Sequence, residues 1–192
     1  MIRRRKALSP EERRRRSQAM ARHFLASSLF EGLLRQGKAL MGYLPLPDEA
    51  DVEPILEAAV LRGLRVAVPR VEPGSPSMTA RALARGPEGW RVEKGPFGVR
   101  QPPPEAAAVP LEEMGVILVP AVAVDEEGYR LGYGKGYYDR FLQEALRLKP
   151  VPLFVAVAFQ FQVVPELPRA PWDIPCHGLL TEEGLWPLPI PR

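Results

Sequence analysis

The sequence predicts an α/β fold, with a mostly parallel central sheet flanked by helices on both faces in a single three-layer domain over residues 1–192. Apolar segments of strand length alternate along the chain with segments whose apolar residues recur at helical spacing. This alternation is typical of parallel strands joined by helical crossovers. At 192 residues, with 46% hydrophobic and 26% charged residues, the chain is long enough to bury one substantial core.

The first element is predicted to be a helix that begins at Pro10. Ser9 is suited to cap it, proline fits the first helical position, and Glu12 completes a capping box. One buried apolar stripe on this helix is expected from Met20, Phe24, Leu25, Leu29 and Leu33.

The remaining elements follow from short apolar runs bounded by glycine and proline. In chain order we expect a strand at 39–44, a helix at 52–62, a strand at 64–68 broken by Pro69, an edge strand at 78–83, an extended surface excursion at 85–110, a strand at 116–119, a helix at 136–148 and a strand at 153–158.

The segment RLGYGKGYYDR, residues 130–140, carries the strongest functional pattern. Three glycines at every second position surround Lys135, between a buried strand and an apolar-periodic run, so we expect a strand-loop-helix crossing. Backbone N–H groups and the helix dipole favour an anion there, and glycine lets the backbone approach phosphate oxygens closely. Asp139, in the first helical turn, is placed to hold a divalent metal beside those phosphates. The pattern therefore predicts a nucleotide-phosphate site.

This glycine pattern differs from the two best-known phosphate motifs. No glycine lies five residues before Gly134, and Lys135 is followed by Gly136 instead of Ser or Thr, which excludes a Walker A loop. The glycine spacing of a dinucleotide fingerprint also differs. An ordinary glycine-rich loop remains the alternative. Because ligands bind beyond the carboxyl ends of parallel strands, Glu49, Arg70 and this loop are expected at one edge of the sheet.

The net charge of +3 is unevenly distributed along the chain. Residues 1–22 hold nine Lys or Arg against two acidic residues, a balance of +7, which leaves −4 for the rest. Such a run occurs in nucleic-acid and anionic-membrane binders, on the solvated face of a helix, and where cations lean over bound phosphates. All three interpretations stay open from the residues alone.

Composition points to a cytoplasmic protein. No run of about 18 apolar residues is present, the start of the chain lacks the apolar core of a secretion signal, and the single Cys176 excludes an internal disulfide. Arginine outnumbers lysine 21 to 5 and prolines number 23, which is the bias of a thermophile or of a GC-rich genome.

Residues 119–142, VPAVAVDEEGYRLGYGKGYYDRFL, resemble the signature of the 5-formyltetrahydrofolate cyclo-ligase family. The resemblance extends over most of residues 5–184, and the closing segment VAVAFQFQVVPELPRAPWDIPCHGLLTEEG also matches the family's pattern. The other positions that match are Tyr43, Pro45, Glu49, Asp51, Pro69, Arg70 and Met78.

This resemblance implies an enzyme that closes a ring on a reduced folate with ATP and Mg²⁺. Transfer of the γ-phosphoryl group to the formyl oxygen would make that oxygen a good leaving group, and attack by N10 with loss of phosphate would give 5,10-methenyltetrahydrofolate. The implied partners are small-molecule substrates and not nucleic acid or membrane, and the implied state is a monomer. The alternatives are a non-catalytic folate- or nucleotide-binding homologue and a basic nucleic-acid-binding protein that uses the arginine-rich helix.

The resemblance also assigns site residues by position. Lys135 and Arg130 are the catalytic, charge-bearing contacts, and Asp139 and Asp173 are the magnesium carboxylates. The ATP-binding residues are Arg130, Leu131, Gly132, Tyr133, Gly134, Lys135, Gly136, Tyr137 and Tyr138, with Arg3, Arg4 and Lys6 from the amino-terminal run. The substrate-binding residues are Leu44, Glu49, Tyr133, Gly134, Lys135, Gly136 and Tyr137.

Several of these positions also have a simple structural interpretation. The two tyrosines at the helix start can be packing residues, Asp173 can form a turn, and Glu49 can be a solvated loop acid. Asp125 is expected to shape the turn to Gly128 and not to act chemically. The departures from the family pattern are Gln101, where an acid is usual, His177, where a second acid is common, and the basic element near the amino terminus, for which Arg3, Arg4, Arg5 or Lys6 would have to substitute. His177 and His23 are expected to be surface or packing residues.

Overall fold

The computed structural model describes residues 1–189, so the last three residues of the predicted domain lie outside the described residues. The α-helices are α1 Ile2–Ala7, α2 Pro10–Leu25, α3 Ser28–Gln36, α4 Glu53–Leu61 and α5 Tyr137–Ala145, with 3₁₀ turns at Pro96–Gly98, Leu111–Glu113 and Gln160–Gln162. The strands are β1 Ala39–Met41, β2 Val66–Val71, β3 Met78–Ala82, β4 Arg85–Gly86, β5 Gly89–Trp90, β6 Glu93–Lys94, β7 Arg100–Gln101, β8 Met114–Pro120, β9 Ala123–Asp125, β10 Arg130–Leu131, β11 Leu153–Val157, β12 Val163–Val164, β13 Gly178–Thr181 and β14 Gly184–Pro187.

The central sheet has seven strands in the order β14-β13-β11-β8-β1-β2-β3. Its five inner strands are parallel, and β3 and β14 pair antiparallel at the two edges. The predicted α/β class and mostly parallel sheet are therefore confirmed. Because β1, β2 and β8 are parallel neighbours, the segments that follow them leave the sheet at the same edge.

Helices cover both faces of this sheet, as predicted. Along β8, Val116 and Leu118 pack into the core formed with α2, α3 and α4. The intervening Ile117 and Val119 pack into the core formed with α5. All four residues are at most 1% exposed, so both faces of β8 are buried from solvent. Burying each such side chain contributes about 1.5–3 kcal/mol to stability.

The amino-terminal apolar stripe is divided between two helices. Ser9 caps α2 by accepting from Glu12 N, as predicted, but the Glu12 carboxylate binds Arg15 and Arg16 and does not close a capping box. The helix ends at Leu25 because Ser27 accepts from Phe30 N and starts α3. The prediction that one continuous helix carries the whole stripe was therefore wrong.

The expected strand break at Pro69 was also wrong, because β2 runs through this proline. Leu83 N donates to Val66 O, so Val66 and Leu83 form a hydrogen-bonded pair of the antiparallel β2–β3 ladder. Hydrogen-bonded and non-hydrogen-bonded pairs alternate along such a ladder, and the pair of Pro69 with Ala80 is therefore non-hydrogen-bonded. Its nitrogen faces the β1 side, where pairing has already ended at Ala67. A residue without an N–H group is tolerated there.

The expected direct crossing from β8 to the glycine loop contains an additional small sheet. Strands β9 and β10 form a hairpin that pairs with β12 in the order β10-β9-β12. Asp125 shapes the hairpin turn, as predicted, because its Oδ1 accepts from Glu127 N at 3.0 Å and from Tyr129 N at 2.9 Å. The expected surface excursion consists of two short hairpins, β4–β5 and β6–β7. No helix within residues 1–189 combines the length and hydropathy required to cross a membrane.

Candidate active site

The glycine loop, residues 132–136, meets the segments that follow β1 and β2 at one edge of the sheet. The Tyr137 hydroxyl, just after the loop, donates to Ser75 O at 3.0 Å. The Arg5 guanidinium joins Asp48, after β1, to the Tyr133 hydroxyl in the loop. These contacts bring together the three segments that the sequence predicts at this edge.

The backbone of the glycine loop is open to solvent. Gly134 and Gly136 have φ angles of +76° and +66°, and Gly136 is the residue that starts α5. Within residues 1–189, the N–H groups of Gly134, Lys135 and Gly136 have no protein hydrogen-bond acceptor. Free amides at the start of a nine-residue helix are suited to bind an anion.

Lys135 places a positive charge on the glycine loop. Its side chain is exposed, and Nζ lies 5.6 Å from the centroid of the Phe97 ring. Its carbonyl oxygen accepts from Arg140 Nη2 at 2.8 Å, which fixes the backbone while the ammonium group stays accessible.

Arg130 is already committed to protein contacts. Its Nη2 donates to Asp139 Oδ1 at 2.7 Å and its Nη1 donates to Ile174 O at 2.6 Å, with the side chain only 5% exposed. The guanidinium thus ties the start of α5 to the segment that carries Asp173. Arg130 therefore has a structural role in this arrangement. Of the two predicted catalytic cations, Lys135 is the more accessible.

The two predicted magnesium carboxylates differ in their surroundings. Asp139 is paired with Arg130, while Asp173 Oδ2 accepts from Ala170 N at 2.7 Å and so forms a turn. Within residues 1–189 no three His, Cys, Asp or Glu side chains form a metal-binding group. Mg²⁺ characteristically uses one or two carboxylates together with phosphate oxygens and water. One oxygen of each carboxylate is outside these bonds, so each aspartate has the kind of oxygen that such an ion uses.

Glu49 is buried, so its interpretation as a solvated loop acid was wrong. The side chain is 7% exposed and its Oε2 accepts from Leu46 N at 2.9 Å. Burial raises the pKa of the Glu49 carboxyl, and the hydrogen bond from Leu46 N and the charge of Arg5 oppose this shift. Leu44, the predicted apolar substrate neighbour, is 2% exposed in the core beneath.

Tyr138 has a buried hydroxyl group without a protein partner in the described chain. Burial raises the pKa of this phenol well above its ordinary value, and the nearby Glu49 carboxylate raises it further. A buried O–H group that makes no hydrogen bond is costly, so this group points to a partner supplied by ligand or water. Packing at the helix start alone does not account for Tyr138.

Arg5 is the buried member of the basic run, although the assigned ATP-binding residues were its neighbours Arg3, Arg4 and Lys6. Arg3, Arg4 and Lys6 are exposed, whereas Arg5 is 1% exposed and contacts the glycine loop. Four consecutive basic residues give no local signal of which one turns inward. Arg5 is the one that turns inward because Asp48 and the Tyr133 hydroxyl bind its guanidinium in the folded chain.

Between the end of β2 and the β6–β7 hairpin lies a cavity of about 650 Å³. Arg70 lines it and is held by Glu72, Glu93 and Pro102 O, each at 2.6 Å. Gln101, where the family has an acid, accepts from Val71 N at 3.1 Å through its amide oxygen and so closes the cavity wall.

The two histidines are surface or packing residues, as predicted: His23 is exposed and His177 packs against Phe154. His177 Nδ1 accepts from Phe154 N at 3.0 Å, and its ring lies 4.6 Å from the Phe154 ring. His23 Nε2 lies 3.2 Å from Glu182 O.

Together, the fold and this edge define the class: an α/β protein with an open glycine loop beside buried polar side chains. The chain belongs to the 5-formyltetrahydrofolate cyclo-ligase family, whose sequence model matches residues 1–182. This confirms the family resemblance and the enzyme class that the sequence predicts.

Individual relatives agree with this family assignment. The 5-formyltetrahydrofolate cyclo-ligase of Escherichia coli K12 is 32% identical over 188 residues, covering 97% of this chain and 99% of the relative. The Mus musculus enzyme of the same name is 28% identical and covers 93% of this chain and 88% of the relative. The NMR structure of 5,10-methenyltetrahydrofolate synthetase from Aquifex aeolicus, 36% identical, superposes with a TM-score of 0.79 over 100% of this chain and 90% of that chain.

A more distant structure supports the fold alone. The 5,10-methenyltetrahydrofolate synthetase of Mycoplasma pneumoniae is 22% identical and has a TM-score of 0.71, covering 94% of this chain and 93% of that chain.

Proposed function

We propose that this protein uses ATP to convert 5-formyltetrahydrofolate to 5,10-methenyltetrahydrofolate, releasing ADP and phosphate. The observation that carries the proposal is the open glycine loop, beside the buried Glu49 and the buried Tyr138 hydroxyl. Three N–H groups of this loop have no acceptor among residues 1–189. Such an arrangement suits a phosphate chain on one side and a polar heterocycle on the other.

The reaction begins with activation of a poor electrophile. The formamide carbonyl of the substrate is deactivated by resonance with N5. Transfer of the γ-phosphoryl group to the formyl oxygen, with ADP leaving, creates an electrophilic carbon with a phosphate leaving group. N10 attacks that carbon, which closes the ring, and loses its proton. Phosphate then leaves with the former formyl oxygen, and the lone pair of a ring nitrogen completes the methenyl cation. The protein's task is to position the reactants and neutralise charge.

The glycine loop is assigned to the ATP phosphates. Its free N–H groups would donate to phosphate oxygens, and the exposed Lys135 ammonium would stabilise the charge that develops on the transferring group. Arg130, held on Ile174 O, orients Asp139 at the start of α5.

Asp139, together with Asp173, is assigned to hold Mg²⁺. When bound, the cation would supply charge neutralisation to the ATP phosphates. The ion pair of Asp139 with Arg130 offsets only one charge, and a cation would reduce the repulsion between this carboxylate and bound phosphate. The support for this assignment is the carboxylate oxygen that each aspartate leaves outside its protein hydrogen bond.

The folate is assigned to the space between the loop and the segment after β1. The rings of Tyr133 and Tyr137 suit the flat pterin, and Leu44 lies in the apolar layer beneath. Glu49 and the unpartnered Tyr138 hydroxyl supply the polar contacts at the closed end.

The arginine-rich helix α2 supports the solvated-face interpretation and not a nucleic-acid site. Arg15 and Arg16 both bind Glu12, and Arg16 also binds Glu182. Part of the basic charge is therefore neutralised within the fold.

The direct experiment mixes the protein with 5-formyltetrahydrofolate, ATP and Mg²⁺ and follows the methenyl product. We expect one phosphate released per product, and no product when either ATP or the folate is omitted. Binding of both ligands by calorimetry with no turnover would instead identify a non-catalytic homologue. Tight binding of polynucleotide at physiological salt without folate binding would support the nucleic-acid alternative.

A further inference from the structure

Arg5 lies where three separate segments of the active-site edge meet. Its Nε and Nη2 donate to Asp48 Oδ2, after β1, at 3.0 and 2.6 Å. Its Nη1 lies 3.4 Å from Ala121 O, directly after β8. Nη2 also donates to the Tyr133 hydroxyl in the glycine loop, and the guanidinium carbon lies 5.7 Å from the centroid of that ring.

These contacts leave Arg5 little freedom to bind a ligand itself. The residue is 1% exposed, and a buried charge is tolerated when it is paired and hydrogen-bonded. Its guanidinium is shared between Asp48, Ala121 O and Tyr133, so a phosphate would have to displace a protein partner. A direct ATP contact is therefore the less favourable role.

Tyr133 is the one loop residue that this network reaches. Its side chain is 52% exposed, and the bond from Arg5 is its hydrogen bond within residues 1–189. The loop has positive-φ glycines on both sides of Lys135, and its contacts with Arg140 and Ser75 are made at its helix end, away from Tyr133. A single anchored phenol can therefore decide where the loop lies relative to Asp48 and Glu49.

We propose that Arg5 is a positioning residue that holds the glycine loop, through Tyr133, at a fixed distance from the segment after β1. The proposal rests on the proposed function for its kinetic consequence, since the two substrates would lie on either side of this contact. Arg5 spans all three partners with a planar fork of donors, which a lysine ammonium cannot reproduce.

The kinetic experiment compares Arg5→Met, Arg5→Lys and Tyr133→Phe, alone and combined, with Arg14→Met as the matched loss of an exposed charge. We expect Arg5→Met to lower kcat/KM for ATP by about 10- to 100-fold, the cost of a misplaced reactant. Arg5→Lys should recover only part of this loss, and Arg14→Met should leave kcat/KM unchanged.

The double variant distinguishes positioning from general stability. If Arg5 acts through Tyr133, adding Tyr133→Phe to Arg5→Met should cost little more than either change alone. Additive losses, or a lower melting temperature with unchanged kcat/KM, would overturn the proposal.

A measurement that needs no turnover separates this proposal from the proposed function. Amide hydrogen exchange of residues 131–136 should be faster in Arg5→Met and Tyr133→Phe than in the wild type and in Arg14→Met. Faster loop exchange in a wild-type background that makes no methenyl product would support Arg5 positioning while the proposed function fails. Unchanged loop exchange in Tyr133→Phe overturns the proposal, even if Arg5→Met does not fold.

Discussion

At the scale of single residues, Lys135 carries the exposed positive charge of the glycine loop. Lys135→Met should lower kcat by about 10²- to 10³-fold, because one electrostatic contact to the transferring phosphoryl group is lost. Lys149→Met, an exposed lysine beyond the end of α5, is the matched control and should retain full activity. Steady-state kinetics and melting temperature measure the effect and the integrity of the fold. Near-normal turnover in Lys135→Met would remove this residue from the chemistry.

Asp139 is a second residue whose substitution has a defined outcome. Asp139→Asn keeps the shape but removes the charge that now pairs with Arg130. The Mg²⁺ concentration for half-maximal activity should rise, and added Mg²⁺ should restore part of the rate, because one ligand charge has gone. Metal-free ATP binding should be unchanged or tighter, because Arg130 loses its anionic partner. An Mg²⁺ requirement equal to that of the wild type would show that the ion is held elsewhere.

His177 links pH to stability. Burial lowers the pKa of His177 below its ordinary value of 6.5, and its Nδ1 must stay unprotonated to accept from Phe154 N. The unfolded chain therefore binds more protons than the folded chain just below pH 6.5, so stability should rise with pH through this window and fall on acidification.

Urea unfolding at pH 5 and pH 8 measures this dependence. His177→Asn keeps an acceptor for Phe154 N without a titrating ring, so its stability should depend less on pH than that of the wild type. His23→Gln is the control and should keep the wild-type dependence. An unchanged pH dependence in His177→Asn would contradict this role.

At the scale of elements, the β9–β10 turn depends on Gly128. Its φ angle is +89°, and an added Cβ would lie 2.4 Å from Cys176 O, a backbone atom that cannot move aside easily. Gly63 has a similar φ of +81° with open space around it. Gly63→Ala should cost about 1 kcal/mol from the φ strain alone, and Gly128→Ala several kcal/mol because of the added clash. Equal losses in urea unfolding would show that the turn adjusts freely.

Elements with a local chemical pattern were predictable, and those decided by distant partners were not. The glycine loop and α5 follow from residues within eleven positions, and the capped start of α2 follows from Ser9 and Pro10. The passage of β2 through Pro69 depends on where β1 ends, which no local pattern contains. Arg5 is likewise selected by Asp48 and Tyr133, 43 and 128 residues away in sequence.

At the scale of the whole molecule, the parallel sheet explains why these residues form one site. The carboxyl ends of β1, β2 and β8 are adjacent in the sheet. Glu49, Arg70 and the segment that leads to the glycine loop therefore lie at the same edge. The monomeric state, the cytoplasmic location and the thermophilic origin remain predictions from composition and family resemblance.

The fate of the formyl oxygen tests whether this whole edge performs the proposed reaction. 5-Formyltetrahydrofolate carrying ¹⁸O in its formyl group is incubated with the protein, ATP and Mg²⁺, and the released phosphate is analysed by mass spectrometry. Phosphorylation of the formyl oxygen followed by N10 attack requires that oxygen to leave with the phosphate, so each phosphate should carry one ¹⁸O atom. Unlabelled phosphate, formed while ATP is consumed and the methenyl product appears, would contradict the proposed mechanism.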